Sequence, residues 1–207
     1  MYGKRVLMLY DVIVVYLSNT YVWRCHRNRM LERYDAYVGA RHLDVGPGTG
    51  WYLAHSQRAS DASITLMDLN SNSLASARTR LADSAPHAVV ADVLQPLEED
   101  IATFDSIGVN YVLHCLPGTW DEKGAAFGNL AAKLAPDGVL FGSTILGVGV
   151  RHNVVGRRLM AIYNAKGIFH NRGDDAEGLE RALSEHFADV TVTIVGAVAL
   201  FRASAPR

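Results

Sequence analysis

Several features that would narrow a function quickly are missing from this 207-residue chain. Cysteine is scarce: Cys25 and Cys115 are the two present, and they match no metal-ligand spacing, so they read as reduced thiols of a cytoplasmic protein. Charge of one sign is also missing. Twenty Lys and Arg face twenty-one Asp and Glu, for a net charge of −1, whereas a domain whose main partner is a phosphate backbone carries a basic excess. No apolar run is long enough to span a bilayer. The stretch Val6–Leu17, preceded by Lys4 and Arg5, imitates a secretory signal, but Asp11 interrupts it and no small-x-small cleavage site follows. It reads as an amphipathic helix packed on the domain. Repeats and low-complexity tracts are lacking as well, which leaves a single domain of 49% hydrophobic residues with enough chain for one sizeable core.

What is present centres on Arg41–Leu53, RHLDVGPGTGWYL. A short apolar strand carries Asp44 near its end, and Gly46, Gly48 and Gly50 follow at every second position. Strand, glycine turn and helix start in succession form a nucleotide-type cradle. The dinucleotide fingerprint G-x-G-x-x-G is not met, because Trp51 stands where its third glycine falls. The acid two places before the first glycine can hold an ammonium group and would repel a pyrophosphate. The loop therefore suits a cofactor with a zwitterionic amino-acid tail.

Two further acids follow at strand ends. Ser63–Met67 reads as a second strand, and Asp68 after it lies 18 residues beyond Gly50, near the distance at which such folds place a ribose-binding carboxylate. His87–Val90 reads as a third strand followed by Asp92, an acceptor suited to the exocyclic amine of an adenine. The plainer reading of each Asp is a turn former or helix cap. The helix between them, Ser71–Asp83, has Ser71 or Asn72 as its N-cap.

Strand four runs from Phe104 to about Leu113, and a helix is expected over Thr119–Leu134. Ala135-Pro136-Asp137-Gly138 forms a turn, and Val139–Ile145 a buried fifth strand. Helices over Val155–Lys166 and Ala176–Phe187 precede strands Val190–Val195 and Ala197–Ala203, joined at Gly196.

The pattern D-x-G-x-G-x-G at Asp44–Gly50 resembles motif I of the class I S-adenosylmethionine (SAM)-dependent methyltransferases. Asn110-Tyr111-Val112-Leu113-His114-Cys115-Leu116-Pro117-Gly118 resembles their motif IV, and Asn129–Leu140 is similar to the segment leading into their fifth strand. The likeness spans about four-fifths of the chain, Arg41–Ala203. It implies an α/β fold with a Rossmann-like seven-stranded sheet, mostly parallel with an antiparallel C-terminal strand and helices on both faces. It also implies a helical lid over residues 1–40 and a core over 41–207. SAM is the implied cofactor, contacted by Asp44, Gly46, Gly48, Gly50, Asp68, Leu69, Asp92, Val93 and Asn110. No metal is called for.

The N-terminal Tyr10-Asp11, Ser18-Asn19 and Trp23-Arg24-Cys25 are similar to small methyltransferases of microbial and fungal secondary metabolism. Three readings of the aromatic and basic segment Ser18–Arg33 stand open: a solvated helix face, a lid over the ligands, or an RNA-binding arm. With charge against nucleic acid, and no Asn-Pro-Pro-aromatic motif at strand four, the expected acceptor is a small apolar or aromatic molecule methylated on oxygen. Neither nucleic acid nor membrane is expected as a partner. Tyr16, Tyr21, Trp23 and His152 are the candidate acceptor contacts. A base is needed only if the acceptor must lose a proton. His114, at the mouth of strand four, leads the candidates, ahead of Tyr16, Tyr21, His26, His152 and His170. Two other readings differ in class: a SAM-binding protein that transfers no methyl group, and a nicotinamide dehydrogenase.

Overall fold

The computed structural model describes residues 18–98 and 101–207. The helix expected over Val6–Leu17, and Tyr16 with it, lie outside the described residues. Strands β1 (Arg41–Val45), β2 (Ser63–Met67), β3 (His87–Val89), β4 (Phe104–Asn110), β5 (Leu134–Ile145), β6 (Phe187–Val195) and β7 (Val198–Pro206) form one sheet in the order β3-β2-β1-β4-β5-β7-β6. Strands β1 to β5 pair in parallel, and β7 runs antiparallel to both β5 and β6. The central strands are buried along nearly their whole length, as apolar strands covered on both faces must be.

Among the described residues six α-helices flank this sheet: α1 (Asn28–Tyr37), α2 (Trp51–His55), α3 (Ser71–Arg80), α4 (Trp120–Ala131), α5 (Val154–Ala165) and α6 (Ala176–Ser184). Tyr34 of α1, Leu53 of α2, and Leu74 and Ala77 of α3 pack with Ile64, Leu66 and Phe141 on one face. On the other face Phe127 and Leu130 of α4, with Leu179 and Leu183 of α6, meet Leu43, Val45, Ile107 and Val109. A third cluster gathers Trp23, Cys25, Met30, Ile145, Phe169, Val198 and Leu200, with Leu159, Met160 and Tyr163 of α5 against it. Since Ile145 ends β5 and pairs with Val198 at the start of β7, this cluster lies at the carboxyl edge of the parallel strands, where α/β ligands bind.

Several boundaries differ from the sequence expectation. Helix α3 is capped by Asn70, whose side chain accepts from the Asn72 amide at 3.0 Å, and it gives way at Arg80 to a tighter turn over Ala82–Ser84 ahead of Pro86. Strand β4 stops at Asn110 because Tyr111 takes φ +57°. Leu113–Cys115 then form one 3-10 turn. Ala135–Gly138 is a bulge within β5, not a turn before it. The register jumps from Phe104↔Leu134 to Ser106↔Val139, since Pro136 has no amide to give the ladder. Among the described residues no helix is long and apolar enough to cross a membrane.

Candidate active site

The glycine loop joins β1 to α2 at the carboxyl edge. Gly46, Gly48 and Gly50 all have positive φ (+64°, +56° and +72°), a region that L side chains rarely enter. The Gly46 amide donates to the Met67 carbonyl at 2.8 Å, tying the loop to the end of β2. A Cβ on Gly46 would overlap the Val112 side chain, whereas a Cβ on Gly48 would meet nothing within 4 Å. The middle of the loop thus presents bare backbone to open space, as a cradle for a nucleoside cofactor requires. The loop residues Gly46–Gly50 include no basic side chain, though Arg80 of α3 donates to the Thr49 hydroxyl at 2.7 Å.

Strands β1, β2 and β3 are neighbours and parallel, so Asp44, Asp68 and Asp92 all fall at the same sheet edge. Asp44 is 2% exposed and its Oδ1 accepts from the Tyr34 hydroxyl at 2.9 Å. Burial raises its carboxyl to about 7, against the pull of that hydrogen bond. The opposite residue on β4 is Gly108, and a Cβ there would come within 3.1 Å of Asp44 Oδ1. Asp68 accepts from the Asn70 amide at 2.8 Å, and Asp92 from the Leu94 amide at 3.0 Å. Both therefore close Asx turns, as the plainer reading had it. Each turn employs one carboxylate oxygen and fixes the side chain with a second oxygen free to accept. Leu69 is exposed beside Asp68, and Val93 is buried beneath Asp92.

Around Asp44 lies a polar layer in which the motif resemblance pointed to Asn110 and not to Tyr34, Tyr52 or Asn19. Asn110 is buried, its Oδ1 accepting from the Ser143 hydroxyl at 3.0 Å while its Nδ2 is buried without a hydrogen-bond partner. A buried amide left unsatisfied is a common mark of a ligand position. Tyr34 stacks on Tyr52 with centroids 5.6 Å apart, and Asn19 donates to the Tyr52 hydroxyl at 3.0 Å. Tyr34 lies on the buried side of α1. Nothing local in the sequence indicated that its hydroxyl would reach the end of β1.

His114 does not stand free at the mouth of β4. It is 3% exposed, its ring lies 4.4 Å from that of Phe169, and burial lowers its pKa to about 3. An imidazole so placed is neutral and a weak base near pH 7, because the 3-10 turn after Val112 folds it inward. The acceptor candidates separate. Trp23 is buried against Phe169 and edge-on to His152, and half-buried His152 has its pKa lowered by desolvation. Tyr21 is 70% exposed, with its backbone carbonyl held by Asn153 Nδ2 at 2.7 Å. His26 and His170 are exposed. The aromatic and basic segment meets the carboxyl edge around Trp23 and Cys25 and then enters α1, which packs on a face of the sheet. The Trp23 carbonyl accepts from the Ala197 amide at 2.8 Å, Arg24 donates to the Arg151 carbonyl at 2.6 Å, and Arg33 donates to the Phe201 carbonyl.

A parallel sheet closed by an antiparallel β7, with a left-handed glycine loop and three acids at one edge, defines the class of fold: a Rossmann-like α/β domain with a candidate nucleoside cradle. Comparison with known proteins makes it specific. Residues 43–140 match the family described as a methyltransferase domain. The chain is 41% identical to methyltransferase verB of Penicillium polonicum over 100% of this chain and 97% of that one. It is 38% identical to demethylluteothin O-methyltransferase of Streptomyces thioluteus, over 98% and 88% of the two chains. N-methyltransferase NodS of Bradyrhizobium japonicum, solved with S-adenosylhomocysteine, superposes with a TM-score of 0.61 at 20% identity, over 87% and 86% of the two chains. The chain belongs to the class I SAM-dependent methyltransferases, an enzyme family whose cofactor is SAM.

Proposed function

We propose that this enzyme transfers the methyl group of SAM to the oxygen of a small apolar or aromatic acceptor in the cytoplasm. The observation that carries this reading is the edge itself: an open, bare-backbone glycine loop and an aromatic cluster of Trp23, Phe169, Tyr111 and His114 both lie at the carboxyl ends of the parallel strands. The relative named demethylluteothin O-methyltransferase supports transfer to an oxygen of a small molecule. Asp44 holds the amino group of the cofactor tail, Asp68 the ribose hydroxyls and Asp92 the adenine amine, while Gly46, Gly48, Gly50, Leu69, Val93 and Asn110 line the cradle. When bound, the sulfonium supplies a methyl group already activated for displacement. The task left to the protein is alignment, which can contribute roughly 7–11 kcal/mol of a barrier. Trp23 and His152 wall the acceptor side. The buried, neutral His114 packs into that wall.

Replacing Asp68 with Ala removes charge-assisted hydrogen bonds worth about 1.5–3 kcal/mol. Calorimetric titration with S-adenosylhomocysteine is expected to show an affinity some ten- to hundredfold lower, roughly the equivalent of that energy. Unchanged affinity would remove the ribose assignment. Asp44 makes a second test. Its carboxyl is raised to about 7 in the free protein, and a cationic amine beside it favours the ionised form. Ligand binding therefore releases a proton below pH 7. Affinity is expected to climb between pH 5.5 and 7 by up to about tenfold per pH unit and to level off above. A flat profile in wild type, or the same slope in Asp44→Asn, would show that Asp44 does not meet the amine.

A further inference from the structure

We infer that Tyr34 is a positioning residue of the cofactor site, its hydroxyl fixing one oxygen of Asp44 so that the carboxylate meets the cofactor's amino group with the other. This rests on the methyl-transfer reading above. Tyr34 comes from α1, outside the glycine motif, and is 2% exposed. Its ring is enclosed by three others: stacked on Tyr52 of α2 at 5.6 Å between centroids, and edge-on to Phe141 of β5 at 5.3 Å and His42 of β1 at 6.1 Å. A ring so enclosed carries its hydroxyl to one point. That point is Asp44 Oδ1, 2.9 Å away. Among the described residues Tyr34 is the single donor to this carboxylate, which leaves Oδ2 for a ligand.

The electrostatics follow from the same contact. Burial pushes the Asp44 carboxyl up to about 7 and the Tyr34 hydrogen bond pulls it down, since a donor to a carboxylate favours the ionised form. No lysine or arginine among the described residues acts on it. Directly opposite Asp44 on β2 and β4 stand Leu66 and Gly108, neither of which titrates. The titratable groups near it are Tyr34, Tyr52 and His42. Burial pushes both phenols up and lowers His42 to about 3, so these three stay neutral between pH 6 and 9. Asp44 alone changes charge in that range. An ammonium group needs it ionised, and Tyr34 is the side chain that holds it so.

The test compares wild type with Tyr34→Phe, which keeps the ring and removes the oxygen, by calorimetric titration with S-adenosylhomocysteine from pH 6 to 9. Losing a hydrogen bond to a charged group moves the pH at which affinity levels off upward by about one to two units. The ligand's own amine titrates alike against both proteins, so the ratio of their affinities isolates the carboxylate. Wild type is expected to bind about ten- to hundredfold more tightly at pH 6, the ratio falling to about twofold or less by pH 9. Recovery at high pH also shows that the variant is folded. In an Asp44→Asn background Tyr34→Phe is expected to change affinity less than about twofold, because the carboxylate through which it acts is gone.

A ratio that stays constant with pH is what a merely structural tyrosine gives, and overturns the assignment. Equal affinities at pH 6, or an undiminished loss in the Asp44→Asn background, overturn it as well. A wild type that binds with a flat pH profile removes Asp44 from the amine, and this inference with it. A wild type that binds no S-adenosylhomocysteine at any pH overturns the function proposed above.

Discussion

Lys123→Ala is expected to lower folding stability by about 3–5 kcal/mol, the usual result of leaving one member of a buried ion pair without its partner. Lys123 lies on α4 with no exposed surface. Its ammonium donates to Asp174 Oδ1 at 2.9 Å and Oδ2 at 2.7 Å, and to the His170 carbonyl at 3.0 Å. It also sits 5.3 Å from the ring centre of Trp120. Burial pushes the Asp174 carboxyl upward and Lys123 pulls it back, so removing the amine strands a carboxylate in the core. The Asp174 carbonyl accepts from the Gly147 and Val148 amides at 2.9 and 3.1 Å, so the damage reaches the loop that follows β5 at the site. Urea denaturation measures the loss. The double replacement Lys123→Met, Asp174→Leu is expected to recover most of it, because an apolar pair has no charge to desolvate. A single-variant loss below about 1 kcal/mol, the level of an exposed pair, would mean that water reaches this pair.

Gly48→Val is the second large effect, and it is expected in binding more than in folding. Space exists for the new Cβ, but that space is what the cofactor occupies in the proposed complex. Overlap of a ligand with added methyl groups costs about 1–3 kcal/mol, roughly five- to 150-fold in affinity. The left-handed backbone adds about 1–2 kcal/mol of folding strain. Gly46→Val carries the same backbone strain plus a clash with Val112, so it is expected to lose stability first. Thermal melts and S-adenosylhomocysteine titrations of the two variants separate these cases. Equal cofactor affinity for Gly48→Val and wild type would move the cofactor away from the loop.

The comparison of these glycines shows what the sequence carried and what it did not. Strand β2 was legible to the residue, Ser63–Met67, because alternating apolar residues between turn formers leave little freedom. The spacing D-x-G-x-G-x-G likewise announced the loop, since all three glycines do adopt positive φ. The burial of His114 was not legible, because its position along the chain carries no sign of the 3-10 turn that rotates its ring inward. Tyr34 and Tyr52 were hidden for another reason. Their hydroxyls act across the fold, on Asp44 from ten residues away and on Asn19 from thirty-three, and no local spacing encodes such a meeting. The bulge in β5 was mistaken for a turn because proline and glycine mark both, and only the partner strand distinguishes them.

That bulge has a practical corollary. Pro136 and Asp137 are exposed where β5 begins, beside the start of β4, at the end of the sheet opposite the glycine loop. The ladder there already accommodates surplus backbone. A fluorophore or affinity tag spliced between these two residues would project away from the chemistry, giving a handle for immobilising the enzyme with its working rim facing solution.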